Sequence, residues 1–467
     1  MLPTYLPTYL DGVGDGFLAS KLSTRFGSIS VTLTSSLTIM ASYLLLFMFP
    51  FMNLSLWKDL SPLGQPLKKP SAASPHVLVI GGGVTGLTTT WVLLDRGYRV
   101  TVLSSDWVNS ERRLTSQIAG ALWEYPPAVC GQHTDAISLG HSKKWVMTAY
   151  HIFDAIASIP ELSRASGIRM LPADFFFRTA VENDAKQHSK MEEIMASGVR
   201  GFRRGAHLIA ERGCDPSYGA VDAYELLSPV IDTDRAMEWL TQLMASKGAK
   251  YVTETIEGDL LLIEDALRAR FSAETIVNCT GLGAEVLAAD RSVYPIRGGL
   301  IRVINDGVDF PKVDAALTIS ADASADEIIF LVPRNDNILL IGGITEADKR
   351  SLDLTLESPI IKRMRERCEA FLPGLEKARL DPHYPFAQGL RPFRKQNVRV
   401  ERELRRADSR IVHSYGQGGA GWSLSFGCAS DVALLVEEIL ASVPAKSMRD
   451  RVWASKEGNY ENIRAAL

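Results

Sequence analysis

The stretch HVLVIGGGVTGLTTTWVLLDRGYRVTVLSSD, residues 76–106, decides the fold. His76–Ile80 is a short apolar run of the kind that is buried on both faces of a sheet. Residues 87–94 predict a helix that ends near Gly97, and Arg99–Leu103 predicts the next strand. A strand, a helix and a second strand in this order predict a βαβ unit with parallel strands.

Gly81, Gly83 and Gly86 form the pattern GxGxxG between the first strand and the helix. There the first glycine makes the tight turn, the second lets the backbone approach a pyrophosphate, and the third lets the helix pack on the strand. The helix N-terminus adds free N–H groups and partial positive charge. Asp106 follows Gly86 by 20 residues, where an acid that binds a ribose is expected. The pattern predicts a dinucleotide site and does not separate FAD from NAD. A glycine-rich turn in another α/β fold is the alternative.

The composition excludes several other classes of protein. The 467 residues are 46% hydrophobic and 22% charged, which excludes a collagen-like or a wholly disordered chain. Lys+Arg is 51 and Asp+Glu is 54, so no basic field is available to hold nucleic acid. The five cysteines are widely spaced and form no cluster with histidine, so neither a disulfide framework nor a metal site is predicted.

The N-terminal region contains a long uncharged segment. No charged residue occurs from Phe26 to Trp57, and residues 37–57 are long enough to span a bilayer at roughly 1.5 Å per residue. Trp57 and Lys58 would suit one interface. We predict a membrane anchor at about 37–57, and a slight excess of lysines after it favours a cytosolic body. The alternatives are a poorly folded leader or a start codon assigned too far upstream.

The segment Ser61–Pro75 carries four prolines and many small residues, and therefore predicts a linker. Residues 1–75 would then form an extension, and the catalytic body should start near His76. The C-terminus, Arg464–Leu467, is not SKL, so no peroxisomal signal is predicted.

Four later segments narrow the choice of ligand. Thr115–Trp123 (TSQIAGALW) combines hydroxyls, which can bind phosphate, with small residues, against which a flat ring can lie. Thr275–Gly283 (TIVNCTGLG) is a β-branched strand that runs into a glycine turn. Gly389–Arg394 (GLRPFR) places two arginines beside a proline. Ile411–Gly421 (IVHSYGQGGAG) is a strand followed by a second glycine-rich loop, and a helix is predicted over about 428–440.

With these motifs in order, the chain from about His76 to about Leu440 resembles the D-amino-acid oxidase and D-aspartate oxidase family, particularly its fungal members. The most specific parts are VNCTG at 277–281, GLRPFR at 389–394 and HSYGQGGAG at 413–421. The resemblance implies an α/β fold, with a Rossmann-type FAD-binding domain and a mixed-sheet substrate domain, after the N-terminal hydrophobic segment. The implied segments are about 76–130, 232–293 and 386–445 for the FAD domain, 131–231 and 294–385 for the substrate domain, and 446–467 for a C-terminal tail.

The resemblance also implies which residues contact FAD. They would meet the pyrophosphate, the ribose, the isoalloxazine ring and, through the second glycine loop, the pyrimidine end of the flavin. The matching positions are Gly81, Gly83, Val84, Gly86, Ser105, Asp106, Thr115, Ser116, Gly120, Ala121, Leu122, Ile256, Thr280, Gly418, Gly419, Gly421, Trp422 and Ser423.

Three residues are implied at the reacting centre. Arg391 would bind the substrate's α-carboxylate, because a guanidinium forms two parallel hydrogen bonds with a planar carboxylate. Gly419 lies in the second glycine loop, whose backbone N–H groups would stabilise negative charge on the reduced ring. Phe330 stands where the family usually has a tyrosine that also binds the carboxylate. A second family tyrosine has no match in residues 320–327.

An alternative role for Arg391 is a salt bridge at the surface or between domains.

Three further residues have less specific expectations. Arg394 is expected to pair with an acid, and the role of Arg297 is open. His413 lies on a predicted strand and is expected to be structural.

The resemblance implies an FAD-dependent oxidase of D-amino acids that uses O₂ and gives an imino acid, then a 2-oxo acid, ammonia and H₂O₂. Its partners would be a small-molecule substrate and O₂, with no nucleic acid. Two alternatives stay open. One is an FAD-dependent oxidase of an amine or a secondary-metabolite intermediate, which the missing tyrosines motivate. The other is a non-enzymatic, flavin-bound, membrane-associated protein, against which Arg391 and both glycine loops argue.

Overall fold

The computed structural model describes residues 56, 60–128, 131, 133–319 and 328–451. The predicted anchor at 37–57 lies outside these residues apart from Leu56, as do the loop 320–327 and most of the predicted tail. Within the described part of the chain, no helix is both long enough and apolar enough to cross a bilayer.

The strands of the described ranges are β1 His76–Ile80, β2 Arg99–Ser104, β3 Ile168–Phe177, β4 Arg203–Arg204, β5 Asp222–Ile231, β6 Lys250–Thr253, β7 Thr275–Asn278, β8 Val293–Ile304, β9 Ala316–Ile319, β10 Ile329–Pro333, β11 Ile338–Gly342, β12 Glu346–Ala347, β13 Phe386–Arg394, β14 Arg399–Arg402 and β15 Ile411–Tyr415. The α-helices there are α1 Val84–Asp95, α2 Thr115–Ile118, α3 Ala136–Ala157, α4 Pro160–Ser166, α5 Ala185–Ala196, α6 His207–Glu211, α7 Thr233–Ser246, α8 Leu260–Phe271, α9 Ala284–Leu287, α10 Pro359–Phe371 and α11 Gly421–Leu440.

The first sheet contains the predicted βαβ unit, in the order β14-β15-β7-β1-β2-β6. Strand β1 lies parallel to β2 and β7, so that Val79 faces Val102 on one side and Val277 on the other. Helix α1 connects β1 to β2. A Cβ atom on Gly86 would lie 1.9 Å from the carbonyl oxygen of Gly81, so α1 can start this close to β1 only with glycine there. The βαβ prediction is confirmed.

The second sheet is mixed, as the resemblance implied. Its order is β12-β8-β11-β10-β9-β3-β5-β4, with β13 paired to β8. Strand β3 is parallel to β9, and the other pairs are antiparallel. Its apolar core includes Phe176, Ile301, Leu331 and Phe371.

Two segments differ from the predicted division of the chain. Strand β13 was expected in the FAD-domain segment that starts at 386, but it pairs with β8 along its length and belongs to the second sheet. Helix α3 was expected in the substrate domain, yet it packs against α11, where a Cβ on Gly427 would lie 2.2 Å from the Cα of Trp145. Long-range pairing decides both placements, and sequence order does not show it.

Helix α11 begins at Gly421, seven residues before the predicted start at Cys428. Gly, Trp and Ser have weak helix propensity, which is why the pattern placed the start later. Tertiary contact overrides that preference, because the Trp422 indole N–H donates to the Ser116 carbonyl oxygen at 2.9 Å. The second glycine loop therefore runs directly into a helix N-terminus.

The predicted linker at 61–75 is partly packed on the body. Leu60 and Ser61 are only 2% and 1% exposed. The Trp91 indole N–H donates to the Ser61 carbonyl oxygen at 2.9 Å. The predicted linker is therefore packed on the body at its N-terminal end, before His76.

A buried ion pair holds this segment in place. Lys247 Nζ lies 2.6 Å from Asp95 Oδ1, and both side chains are 0% exposed. Lys247 also donates to the Gln65 carbonyl oxygen at 3.1 Å. Asp95 accepts from the backbone N–H groups of Ser61 at 2.8 Å and Leu67 at 3.1 Å. One pair of charges thus joins α1, the end of α7 and the chain before β1.

We expect Lys247→Met to lower the free energy of unfolding by about 3–5 kcal/mol, because it leaves the Asp95 charge buried without its cation. Urea unfolding of the FAD-bound protein measures the change. Lys362→Met is the matched control, since Lys362 pairs with Glu357 at 2.6 Å on the surface, where the two side chains are 52% and 82% exposed. The control should cost less than about 1 kcal/mol. Similar losses in the two variants would contradict the prediction.

A second buried acid lies on β3. Asp174 is 0% exposed, and Arg212 Nε donates to its Oδ2 at 2.8 Å. No described residue donates to its Oδ1. Burial raises the pKa of Asp174 to about 7, and the Glu225 carboxylate adds to the rise while Arg212 opposes it. The folded protein therefore keeps a proton that an unfolded chain releases near pH 3.8.

Because the folded state binds this extra proton, Asp174 should make the free energy of unfolding fall as the pH rises from about 4 to about 7. Its contribution is at most about 1.4 kcal/mol per pH unit. Asp174→Asn should remove that contribution in urea unfolding across this window. Asp314→Asn is the control, because Asp314 lies 3.6 Å from the same Arg212 but is 82% exposed. The prediction fails if Asp174→Asn keeps the slope of the parent protein.

Candidate functional site

A cavity of about 880 Å³ is lined by residues from both sheets, a volume that suits a large ligand. Most of the predicted site residues lie on its wall. These are Gly81, Gly83, Val84, Ser105, Thr115, Ser116, Gly120, Ala121, Leu122, Ile256, Thr280, Phe330, Arg391, Gly418, Gly419, Gly421, Trp422 and Ser423. Segments that are far apart in the sequence therefore meet around one space.

Two predicted residues are not on the cavity wall. Gly86 is needed instead for the close packing of α1 on β1. The Asp106 carboxylate accepts a hydrogen bond from the Ser105 hydroxyl at 3.1 Å and lies 3.5 Å from Arg112. Ser105 is a lining residue of the cavity, whereas Asp106 is not. The predicted ribose contact of Asp106 therefore has no support in this geometry.

The start of α1 is shaped to receive phosphate. Its N-cap is Gly83, which has no side chain to cap the helix. The Val84 N–H instead donates to the Ser116 hydroxyl at 3.0 Å, and Ser116 faces the cavity. Free N–H groups, a hydroxyl and the positive end of the helix dipole suit a pyrophosphate. These residues fit the phosphates of FAD.

The segment 119–122 forms the wall beside which the resemblance places the flat ring. Ala121 has φ of 51°, a left-handed conformation that is uncommon for alanine. Its carbonyl oxygen accepts from the Ile231 N–H at 3.2 Å. Arg334 is buried, and its guanidinium donates to the Ile231 carbonyl oxygen at 2.6 Å and to that of Ala119. Burial lowers the pKa of Arg334 to about 10. These contacts hold the segment in one conformation.

Arg391 lies on β13 and faces the cavity. Its Nη1 donates to the Ile344 carbonyl oxygen at 3.0 Å. The guanidinium lies over Gly298 of β8, where a Cβ atom would be 2.5 Å from the Arg391 Cζ. Among the described residues that line the cavity, Arg391 is the one cation. Its place is therefore suited to a carboxylate.

Phe330 forms an apolar part of the same wall. A Cβ on Gly120 would lie 2.4 Å from the Phe330 Cζ, so the ring edge rests directly on the Gly120 backbone. Phe330 has no hydroxyl, and it cannot supply the hydrogen bond that the family tyrosine makes. Its ring therefore contributes to the shape of the cavity wall.

The second glycine loop reaches the cavity beside β13. The Gly418 N–H donates to the Pro392 carbonyl oxygen at 2.9 Å, and Gly418 has φ of 60°. Gly419 follows, and α11 starts at Gly421. This start brings a helix N-terminus to the cavity wall, where its N–H groups can stabilise negative charge.

The two other arginines singled out in the sequence are in ion pairs. Arg394 Nε lies 2.7 Å from Asp290 Oδ2, which confirms the expected pairing with an acid. Arg297 Nη2 lies 2.7 Å from Glu346 Oε2, and Asp353 is a second partner. Neither arginine is among the lining residues.

His413 is fully buried within β15. Its ring nitrogens lie 3.3 Å from the Asn278 side-chain amide and 3.2 Å from the Glu403 carboxylate. Burial lowers the pKa of His413 to about 4. One ring nitrogen contacts Asn278 of β7 and the other contacts Glu403, directly after β14, in agreement with the expected structural role.

Several cavity residues were not predicted. Gln417 lies inside the quoted glycine loop, and Glu124 directly follows the hydroxyl segment, so adjacency was an available signal. Glu254 and Glu257 follow the short strand β6, and nothing in their local pattern marks them. The unpredicted polar lining residues include Thr85, Glu124, Glu254, Thr255, Glu257, Thr318, Thr345 and Gln417.

Comparison with known proteins agrees with this geometry. A family model described as "FAD dependent oxidoreductase" matches residues 76–435. The chain is 30% identical over 364 residues to the D-amino-acid oxidase of Streptomyces coelicolor, a match that covers 77% of this chain and 96% of that protein. It is 27% identical over 374 residues to human D-aspartate oxidase, covering 78% and 95%.

Solved structures share the fold. Glycine oxidase from Bacillus cereus superimposes with a TM-score of 0.60 at 18% identity, covering 81% of this chain and 100% of that one. L-proline dehydrogenase from P. horikoshii superimposes with a TM-score of 0.59 at 15% identity, covering 81% and 96%. At these identities the likeness concerns the fold.

Proposed function

Since the chain belongs to the family of FAD-dependent oxidoreductases, we propose that it oxidises D-amino acids with O₂ as the electron acceptor. The observation that carries the proposal is a single cavity whose wall holds the phosphate cradle of α1, the second glycine loop and Arg391. The relatives named D-amino-acid oxidase support the choice of substrate.

The reaction removes two electrons from the substrate. A hydride leaves the carbon that bears the amine, a proton leaves the nitrogen, and the product is an imino acid that water hydrolyses to a 2-oxo acid and ammonia. FAD, when bound, supplies the two-electron acceptor, and O₂ with two protons becomes H₂O₂. The residues that would hold it are those of the α1 turn, the segment 115–122 and the loop 418–423.

The protein's own contribution is binding and orientation. Arg391 would fix the substrate carboxylate and so turn the amine-bearing carbon towards the ring site beside 119–122. Phe330 and its apolar neighbours on the second sheet would exclude water from the reacting carbon. The N-terminus of α11 would stabilise negative charge on the reduced cofactor. No protein acid or base is required at the reacting carbon.

Anaerobic titration of the FAD-bound protein with a mixture of D-amino acids tests the proposal. The flavin absorbance should bleach, and admitting O₂ should restore it with release of H₂O₂. The L-enantiomers at equal concentration are the control and should leave the absorbance unchanged. A protein that holds FAD yet is inert towards every free D-amino acid would contradict the proposed substrate class.

The presence of Phe330 in place of a tyrosine supports a second candidate function. In that function the substrate is an amine or a secondary-metabolite intermediate without a carboxylate. Without the tyrosine hydroxyl, the carboxylate has one fewer partner than the family pattern provides. Turnover of simple amines together with inertness towards D-amino acids would favour this candidate.

We propose, separately, that residues 37–57 anchor the protein in a membrane with its body on the cytosolic side. The support is the uncharged sequence from Phe26 to Trp57. After carbonate extraction, the full chain should stay with the membrane, whereas a chain lacking residues 1–55 should be released with FAD bound. That deletion keeps Leu56 and Leu60, which are buried. Release of both proteins would contradict the anchor.

A further inference from the structure

We propose that Glu124 selects substrates whose side chain carries a positive charge, such as D-lysine or D-arginine. This inference rests on the proposed oxidation of D-amino acids and names the substrate class within it. It is carried by the position of the Glu124 carboxylate on the cavity wall and by the buried lysine behind it.

Glu124 lines the end of the cavity that is bounded by the second sheet. The described lining residues include three acids, Glu124, Glu254 and Glu257. Glu254 and Glu257 follow β6, at the edge of the first sheet. Glu124 instead follows the segment that contains Gly120, on which the Phe330 ring rests. Leu122, two residues before Glu124, bridges to Val230 of β5. Glu124 therefore lies beside the second sheet, which also carries Arg391.

Lys190 holds Glu124 in place from outside the cavity. It lies on α5, is 7% exposed and is not a lining residue. Its Nζ donates to Glu124 Oε1 at 3.0 Å and to the Pro127 carbonyl oxygen at 2.8 Å. Lys190, a buried lysine within the polar segment 181–204, therefore positions the Glu124 carboxylate.

The charges at this end favour a cationic side chain. Arg391 matches the one carboxylate that every amino acid carries. A second substrate carboxylate, as in D-glutamate, would meet the Glu124 carboxylate before it meets Lys190. A substrate cation would instead form a charge-assisted hydrogen bond with the Glu124 carboxylate.

The test compares the FAD-bound parent protein with Glu124→Gln on D-lysine, D-arginine, D-norleucine and D-glutamate. The parent should prefer D-lysine to D-norleucine, which has a similar length and no side-chain charge. Glu124→Gln should lower the ratio of their kcat/KM values about 10- to 100-fold, the range for loss of a hydrogen bond to a charged group. It should leave D-norleucine within about twofold and improve D-glutamate.

Binding without turnover gives a second readout. The carboxylate 6-aminohexanoate carries a distal ammonium but no α-amine. Hexanoate has the same chain length and carries no amine at either position. The parent should bind 6-aminohexanoate more tightly than hexanoate, as measured by the perturbation of the flavin spectrum. Glu124→Gln should remove that difference.

Two further variants keep the test decisive. If Glu124→Gln does not fold because Lys190 is left buried without the Glu124 carboxylate, Glu124→Gln with Lys190→Met removes both charges and should show the same loss of preference. Glu192→Gln is the matched control, because Glu192 also lies on α5, its side chain is 65% exposed, and it is not a lining residue. It should keep the parental ratio.

The outcomes separate this inference from the proposed function. Turnover of D-amino acids with an unchanged ratio of D-lysine to D-norleucine would overturn the role of Glu124 alone. An equal loss for all substrates would overturn it too, since the carboxylate would then act on a group that they share. Inertness of the parent towards all D-amino acids would overturn both proposals.

Discussion

Arg391→Ala should lower kcat/KM for D-amino acids about 30- to several-thousand-fold while the protein stays yellow. Truncating one partner of a buried, charge-assisted pair costs about 2–5 kcal/mol, which corresponds to that range. Arg391 is the one cation among the described lining residues, so no described neighbour on the wall can replace it. Steady-state kinetics and the FAD content of the purified variant measure the two effects.

The loss should depend on the substrate carboxylate. Amines without a carboxylate should be turned over equally by Arg391→Ala and by the parent protein, if the parent accepts them. Arg379→Ala is the matched control, because Arg379 is 53% exposed and pairs with Asp306 at 2.7 Å on the surface. It should keep the parental kinetics. Unchanged kinetics in Arg391→Ala would refute its assignment to the carboxylate.

Gly83→Val should weaken FAD binding at least about 100-fold and leave the fold intact. Gly83 has φ of −78°, which valine can adopt. A Cβ there would lie 3.1 Å from the Ser116 hydroxyl, and the branched side chain would enter the cavity. Loss of two hydrogen bonds to charged phosphate, at about 1.5–3 kcal/mol each, exceeds a hundredfold.

The dissociation constant of FAD, from quenching of flavin fluorescence, measures the effect, and circular dichroism checks the fold. Gly140→Val is the matched control, because a Cβ at Gly140, within α3, meets nothing within 4 Å. Gly140→Val should bind FAD as the parent does. A yellow Gly83→Val protein with an unchanged dissociation constant would show that phosphate does not occupy this turn.

The local sequence pattern predicted the turn between β1 and α1, because the conformation of that turn depends on residues that are close together in the chain. The apolar runs and glycine spacing of 76–103 specify the turn between β1 and α1, because the contacts that require Gly86 lie within six residues. The resemblance added the segment 115–122, Arg391 and the loop 416–421. Each of these parts contributes residues to the cavity wall.

Local pattern did not decide where two acidic residues lie relative to the cavity. Asp106 has the expected spacing after Gly86, yet its carboxylate is held by Ser105 and Arg112. Glu124 has no pattern of its own, and its carboxylate at the cavity wall accepts from Lys190, which lies 66 residues later in the chain.

The amino-acid sequence by itself determined the nucleotide-binding βαβ unit, because turns and short buried strands are specified by neighbours along the chain. The tertiary structure alone decided that β13 joins the second sheet, that α11 starts at Gly421, and that Lys247 ties residues 60–67 to the body. Each of these is set by a partner that is distant along the chain. Such pairing leaves no periodic signal, since burial and hydrogen bonding are satisfied only when both partners are in place.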